Sequence, residues 1–171
     1  MKYFLDTEFS EKPNTIDLIS IGIVSEDGRE FYSECSDINY MSVNPWVKEN
    51  VFPYLWSRQK DKSDFNKWSR DGGSGGLLKT SQIGCEVKKF LGEDIPEFWG
   101  YYADYDWVVF CWLFGSMVDL PKGWPMYCRD IKQLCDKLGN PNLPEQDSQE
   151  HNALYDARWN QKAYNFLQGC K

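Results

Sequence analysis

The stretch KYFLDTEF, residues 2–9, combines strand-like alternation with two acids, Asp6 and Glu8. On a strand, the side chains at positions 4, 6 and 8 share one face, and those at 3, 5, 7 and 9 share the other. Apolar residues flank both acids, which predicts a central, buried strand. Two more strand-like stretches follow, residues 16–24 and 29–35, with a Glu-Asp-Gly turn signal between them. The short connections favour an antiparallel meander.

The rest of the chain contains mostly helix-like patterns. Helices are predicted over residues 45–55, 80–91, 105–114, 130–138 and 152–167, and short strands over 97–103 and 126–128. Loops are predicted for the polar segment 63–76, with its flexible Gly-rich end, and for the Pro-rich segment 139–148. This order predicts an α/β fold in which a mixed five-stranded sheet carries helices on its faces. We expect one domain over residues 1–171.

The composition is that of an acidic, folded protein. The chain has 171 residues, of which 42% are hydrophobic and 16% aromatic, and this argues against disorder. We expect no membrane span and no secretion signal, because long apolar runs are missing and acids come early. Six cysteines without a Cys-x-x-Cys pair, and one histidine, do not fit the usual zinc site. We therefore expect a cytoplasmic protein with reduced thiols.

The charge restricts how the chain can bind nucleic acid. Nineteen Lys and Arg residues stand against 26 Asp and Glu residues, which gives a net charge of −7. Proteins that hold nucleic acid through phosphate contacts normally present a basic face. Any phosphate chemistry would therefore need positive charge from another source, and bound divalent metal is the obvious supplier.

Asp6 and Glu8 form the first acidic motif. Two positions apart on a strand, they project from one face about 7 Å from each other. One hard cation between them can take oxygen from both. Without metal or protons, two buried carboxylates would repel each other and lose hydration. The alternative is an exposed acidic strand end, since Asp-x-Glu is a common sequence.

His151 and Asp156 form the second motif, within HNALYDAR at residues 151–158. On a continuous helix, five positions separate two side chains by about 140°. If His151 instead precedes the helix, both side chains reach one cleft, Asp156 as a metal ligand and His151 near a metal-bound water. The alternative is a surface histidine beside a solvated aspartate.

Asp104 and Asp106 form the third motif, at the junction between a predicted strand and a predicted helix. Ligand sites favour the carboxyl ends of strands. Alternatively, both are acids favoured at the start of a helix, with Asp104 as its cap.

Taken in their order along the chain, these motifs resemble the DEDDh group of 3′→5′ exonucleases, which includes ribonuclease T, oligoribonuclease and proofreading polymerase subunits. That group has Asp-x-Glu on its first strand, an aromatic residue followed by Asp at a strand–helix junction, and His-x4-Asp near the C-terminus. The corresponding residues here are Asp6-Thr7-Glu8, Tyr105-Asp106 and His151-x4-Asp156. The runs YFLDTEF, TIDLISIGIVSEDGREFY, YDWVVFCWLFG and HNALYDAR look most like the small stand-alone mycobacterial-type exoribonucleases. Tyr102 departs from the pattern, because the group usually has Asn there.

The resemblance implies a fold, a reaction and a ligand set. The fold would be ribonuclease H-like, and the reaction would be hydrolysis of single-stranded RNA from its 3′ end to release 5′-mononucleotides. Two Mg²⁺ or Mn²⁺ ions would be held by four carboxylates, Asp6, Glu8, Asp106 and Asp156, while His151 takes a proton. A homodimer is implied by analogy, and membrane partners are not expected.

Two other functions stay open from the sequence. A DNA exonuclease of the proofreading or repair type would share every catalytic residue, since discrimination of the sugar depends on 2′-hydroxyl contacts. An inactive nucleic-acid-binding module typically loses one of the acids or the histidine, whereas all five are present. Phe9 and Trp46 are the candidates for stacking on the terminal base. Arg158 is the cation nearest in sequence to the second motif and the candidate for a phosphate contact, and the alternative for it is a solvated helix face.

Overall fold

The computed structural model describes residues 1–146 and 150–170. The strands are β1 (Lys2–Lys12), β2 (Thr15–Ser25), β3 (Glu30–Cys35), β4 (Ser74–Leu78), β5 (Glu97–Gly100) and β6 (Arg129–Asp130). The helices are α1 (Pro45–Asn50), α2 (Ser63–Arg70), α3 (Thr80–Leu91), α4 (Asp104–Trp112), α5 (Ile131–Lys137) and α6 (Ala153–Gln168). Short 3-10 turns lie at Phe52–Tyr54 and Met117–Asp119. Among these residues, no helix is long and apolar enough to cross a membrane.

The strands form one mixed sheet in the order β4-β3-β2-β1-β5-β6. The pairs β1–β2 and β2–β3 are antiparallel, so the predicted meander is confirmed. The pairs β3–β4, β1–β5 and β5–β6 are parallel. Strand β1 lies inside the sheet, between β2 and β5, as its flanking apolar residues predict.

The prediction of five strands was wrong, because the segment predicted as a loop, 63–76, contains α2 and the first three residues of β4. Strand β4 includes Gly75 and Gly76, which lack the apolar alternation that marks a strand in the sequence. A Cβ at Gly75 would lie 2.0 Å from the carbonyl oxygen of Tyr32, so β4 approaches β3 as only glycine allows. Its stability comes from pairing with β3, which a local pattern cannot reveal.

Other boundaries differ by a few residues. Helix α1 ends at Asn50, and the predicted continuation is a 3-10 turn that contains Pro53. The fifth strand ends at Gly100 rather than at residue 103. The last strand is Arg129–Asp130, directly after the predicted range 126–128. The predicted loop 139–148 carries no helix or strand over 139–146, and its last two residues lie outside the described ones.

Alternating side chains of β1 divide the core into two layers. Tyr3 and Leu5 pack with the helices α3 and α4 on one face of the sheet. Phe4 packs on the other face, with apolar residues of α5 and α6. Asp6 and Glu8 share the parity of Phe4, so they face α6. The acids therefore lie on the face of the sheet that α6 covers.

Candidate active site

Five carboxylates line one cavity of about 290 Å³. Four of them come from three elements of the fold, and the fifth, Glu150, lies in the turn before α6. Strand β1 contributes Asp6 and Glu8, helix α4 contributes Asp106, and helix α6 contributes Asp156. Ligand oxygens of Asp6, Glu8 and Asp156 lie within 4.8 Å of one another, a separation that one metal ion can bridge. His151 lines the same cavity.

The approach of α6 to β1 depends on a glycine in β2. Gly22 is the Cα partner of Asp6 across the β1–β2 pair. A Cβ at Gly22 would lie 2.2 Å from the carbonyl oxygen of Ala153, the first residue of α6. The missing side chain lets the start of α6 rest on the sheet beside Asp6, and Asp156 follows in the first turn.

Asn160 holds the same helix against β1. It lies one turn after Asp156 and is buried, with an exposed fraction of 1%. Its Nδ2 donates to the carbonyl oxygen of Leu5 over 2.9 Å, directly before Asp6 in the chain. The motifs did not reveal Asn160, although its position four residues after Asp156 on an amphipathic helix is a usable signal.

Asp106 reaches the cavity from the α4 side and contacts the residue between the two strand acids. Thr7 donates to its Oδ1 twice, from the backbone N at 2.8 Å and from Oγ1 at 2.6 Å. Both donors use the same oxygen, so the second carboxylate oxygen is left for another ligand. Asp106 is buried whereas Asp104 is exposed at the start of α4, which favours Asp106 as the site residue.

His151 lies in the turn before α6, in agreement with the predicted helix start at residue 152. Its backbone has a positive φ of 72°, and the following Asn152 caps the helix by accepting from the N–H of Leu154 at 3.1 Å. The His151 N–H donates to Oδ2 of Asp156 over 2.9 Å. Gln146 donates to the other oxygen of Asp156. This turn brings the imidazole and Asp156 to one cavity.

The carboxylates carry strongly altered proton affinities. Burial raises the pKa of Asp6 well above its usual value, and the charges of Asp106, Asp156 and Glu8 raise it further. The pKa of Glu8 is also well above its usual value, first because of burial and then because of Asp156 and Asp106. Neighbouring negative charges without a compensating cation therefore favour protonation of this pair.

The other two acids are shifted less, because hydrogen bonds stabilise their charged forms. Burial raises the pKa of Asp106 to about 6, against the lowering effect of the Thr7 donors. Burial likewise raises the pKa of Asp156 to about 7, against the Gln146 side chain and the His151 N–H. Mg²⁺ and Mn²⁺ prefer such oxygen ligands, so the buried, mutually repelling carboxylates fit a divalent cation.

The two aromatic candidates contact different residues near the acids. Phe9 follows Glu8, lines the cavity and is partly buried, with its ring centroid 5.8 Å from that of Tyr105 in an edge-to-face contact. Trp46 lies on α1 with 55% of its surface exposed. Its ring meets the His151 imidazole edge to face, with 5.3 Å between centroids. Both stay predictions as base-stacking residues.

Arg158 does not belong to the cavity. It lies two positions after Asp156 on α6, which turns its side chain about 200° around the helix. Its Nε and Nη2 donate to the Glu30 carboxylate over 2.7 Å and 2.8 Å. The motifs also did not reveal the acid Glu150 and the uncharged residues Tyr101, Gln146 and Trp159, which line the cavity.

The fold and the cavity define an α/β protein with a buried carboxylate cluster beside an imidazole, an arrangement typical of a hydrolytic enzyme. Comparison with known proteins identifies the family. Residues 1–168 match the family model described as the 3'-5' exoribonuclease Rv2179c-like domain. The chain belongs to this family.

Two curated relatives come from Mycobacterium tuberculosis strains. The chain is 36% identical over 161 residues to the protein named 3'-5' exoribonuclease Rv2179c of strain ATCC 25618 / H37Rv. The alignment covers 92% of this chain and 88% of the relative. The same values hold for 3'-5' exoribonuclease MT2234.1 of strain CDC 1551 / Oshkosh. The predicted enzyme class and the likeness to mycobacterial-type exoribonucleases are confirmed.

Proposed function

We propose that this protein is a metal-dependent 3′→5′ exoribonuclease of the DEDDh group, which hydrolyses single-stranded RNA to 5′-mononucleotides. The observation that carries the proposal is the convergence of Asp6, Glu8 and Asp156, with ligand oxygens within 4.8 Å, in a cavity that His151 also lines. The names of the family and of both relatives support RNA as the substrate.

Asp6, Glu8, Asp106 and Asp156 would hold two Mg²⁺ or Mn²⁺ ions. When bound, such ions stabilise the attacking and leaving oxygens of a phosphodiester and offset its negative charge. The chain's own contribution is to fix the carboxylates: Thr7 orients Asp106, while Gln146 and the His151 N–H orient Asp156. The local positive charge would let a protein of net charge −7 hold an RNA end.

His151 is assigned the role of general base. An imidazole can accept a proton near neutral pH, which suits activation of a water molecule. Its place in a turn rather than on α6 leaves the ring free of the helix face, and Trp46 limits its orientation from one side. Phe9 and Trp46 are proposed to contact the terminal base.

The competing functions make different predictions. A DNA exonuclease would use the same carboxylates, whereas an inactive binding module would retain RNA without cutting it. We also propose a homodimer and a cytoplasmic location by analogy with relatives and from the reduced thiols.

The first test is hydrolysis of 5′-labelled RNA and DNA oligomers of one sequence with Mg²⁺, Mn²⁺ or EDTA. We expect stepwise shortening of RNA from the 3′ end, and none in EDTA. Asp106→Asn should remove most activity, whereas Asp104→Asn, at an exposed site two residues away, should retain it. Cleavage in EDTA would contradict the mechanism, and faster cleavage of DNA would contradict the substrate.

A further inference from the structure

One face of α4 presents apolar side chains to solvent directly beside the active-site cavity. Tyr105, Val108 and Trp112 fall within one 60° sector of the helix, at steps of three and four residues. Their exposed fractions are 50%, 36% and 48%. The opposite side of α4 is buried in the core, with Phe110 completely enclosed. Packing of α4 against the core does not involve this exposed face. We call the face, Tyr105, Val108 and Trp112, the exposed stripe.

The stripe forms one wall of a groove of about 550 Å³. The other wall is the β1–β2 hairpin, with Glu11, Lys12, Pro13 and Asn14. Glu11 and Lys12 are both exposed there, so the groove carries one negative and one positive charge. The groove thus combines aromatic rings with charged and polar hairpin groups, a mixture that suits a nucleotide chain better than a purely apolar partner.

The groove lies next to the catalytic cavity, and one aromatic contact joins their walls. Phe9 lines the cavity, and its ring contacts the Tyr105 ring, at a centroid separation of 5.8 Å. Tyr105 in turn lines the groove. From Tyr105 to Trp112 the helix rises about 10 Å, enough for about three bases at 3.4 Å each.

We propose that this groove binds the nucleotides upstream of the 3′ end by stacking, an inference that rests on the proposed exoribonuclease function. Tyr105 and Trp112 offer π-faces to the bases, and Lys12 offers charge to a phosphate. Stacking is independent of base identity and needs little positive charge, which fits a chain of net charge −7. A second copy of this chain is the competing occupant.

The test compares Trp112→Ala with the wild-type protein on a dinucleotide and on an octamer of the same sequence. We expect KM for the octamer to rise about fivefold or more, the low end of the loss of one stacked base, and KM for the dinucleotide by less than about twofold. Phe166→Ala, at an exposed aromatic on α6 that lines neither cavity nor groove, is the control and should affect both RNAs equally. An equal effect of Trp112→Ala at both lengths, or no effect, would overturn the proposal.

Two further measurements separate the competing outcomes. Light scattering of the same variant should give the wild-type mass, and a dimer lost on substitution would assign the groove to a second copy. An octamer with 4-thiouridine third from its 3′ end should crosslink to the peptide that contains Tyr105 or Trp112, and crosslinks elsewhere would overturn the proposal. If the wild-type protein cuts neither RNA, the proposed function fails, and the crosslink alone decides on the groove.

Discussion

At the scale of single residues, Thr7 illustrates why the position between Asp6 and Glu8 matters. Its hydroxyl and its backbone N–H both donate to Oδ1 of Asp106, so one residue of β1 orients an acid of α4. Partners in the shell around metal ligands typically change metal affinity or activity by about 10- to 100-fold when they are removed. Thr7 is therefore expected to act on metal binding through Asp106.

Replacement of Thr7 by Val keeps the side-chain shape and removes the hydroxyl donor. We expect the Mg²⁺ concentration for half-maximal activity to rise about tenfold or more, because Asp106 loses one of its two Thr7 donors. Thr7→Ser retains a hydroxyl and should stay close to wild type. A metal titration of RNA hydrolysis measures the difference. An equal Mg²⁺ requirement for Val and Ser would show that the hydroxyl does not support the site.

At the scale of secondary-structure elements, the position of α6 rests on Gly22. A methyl group there would lie 2.2 Å from the Ala153 carbonyl oxygen, and the backbone of α6 cannot yield without moving Asp156. Such overpacking costs about 1–3 kcal/mol of unfolding free energy. We expect Gly22→Ala to destabilise the protein by that amount and to reduce kcat of the folded fraction at least about tenfold, which matches a small misplacement of a ligand.

Gly84→Ala is the matched control for this prediction. A Cβ at Gly84 would lie 2.4 Å from the carbonyl oxygen of Leu113, a comparable clash on the α3–α4 side of the sheet. Urea unfolding should therefore show losses of similar size for both variants, while RNA hydrolysis per folded molecule falls only for Gly22→Ala. Full activity of folded Gly22→Ala would mean that the site tolerates a shift of α6.

The elements also show how far the sequence specifies this fold. The alternation around Asp6 predicted β1 and its acidic face, because side-chain period and burial are local properties. The turn before α6 was also predictable. His151 and Asp156 are five residues apart, so on one continuous helix their side chains would point in different directions. Strand β4 was not, because its pairing with β3 is non-local and its glycines hide the alternation. The contacts of Thr7 with Asp106, and of Gly22 with Ala153, join positions about a hundred or more apart and need coordinates.

At the scale of the whole molecule, the carboxylate cluster couples stability to pH. The native-state pKa of Asp156 is raised to about 7 and that of Asp106 to about 6, above their usual value of 3.8. The native state therefore binds protons that the unfolded state has released. This contribution to stability is fully present below about pH 4 and is lost as pH rises through the native pKa values. Asp27 and Asp37 have pKa values lowered to about 2, so their contribution falls only below about pH 4.

For the metal-free protein we expect the free energy of unfolding to decrease between pH 5 and pH 7.5, the window in which Asp106 and Asp156 lose most of their protons. Urea unfolding in EDTA at the two pH values measures this. Added Mg²⁺ should restore stability most at pH 7.5, because cations replace the lost protons and bind only the native arrangement. Asp6→Asn removes one charge from the cluster and should weaken both effects, whereas Asp104→Asn, at the exposed start of α4, should change neither. Two results would show that the four acids do not share one electrostatic site. One is a free energy of unfolding that rises with pH in EDTA, and the other is a free energy of unfolding that does not change when Mg²⁺ is added at pH 7.5.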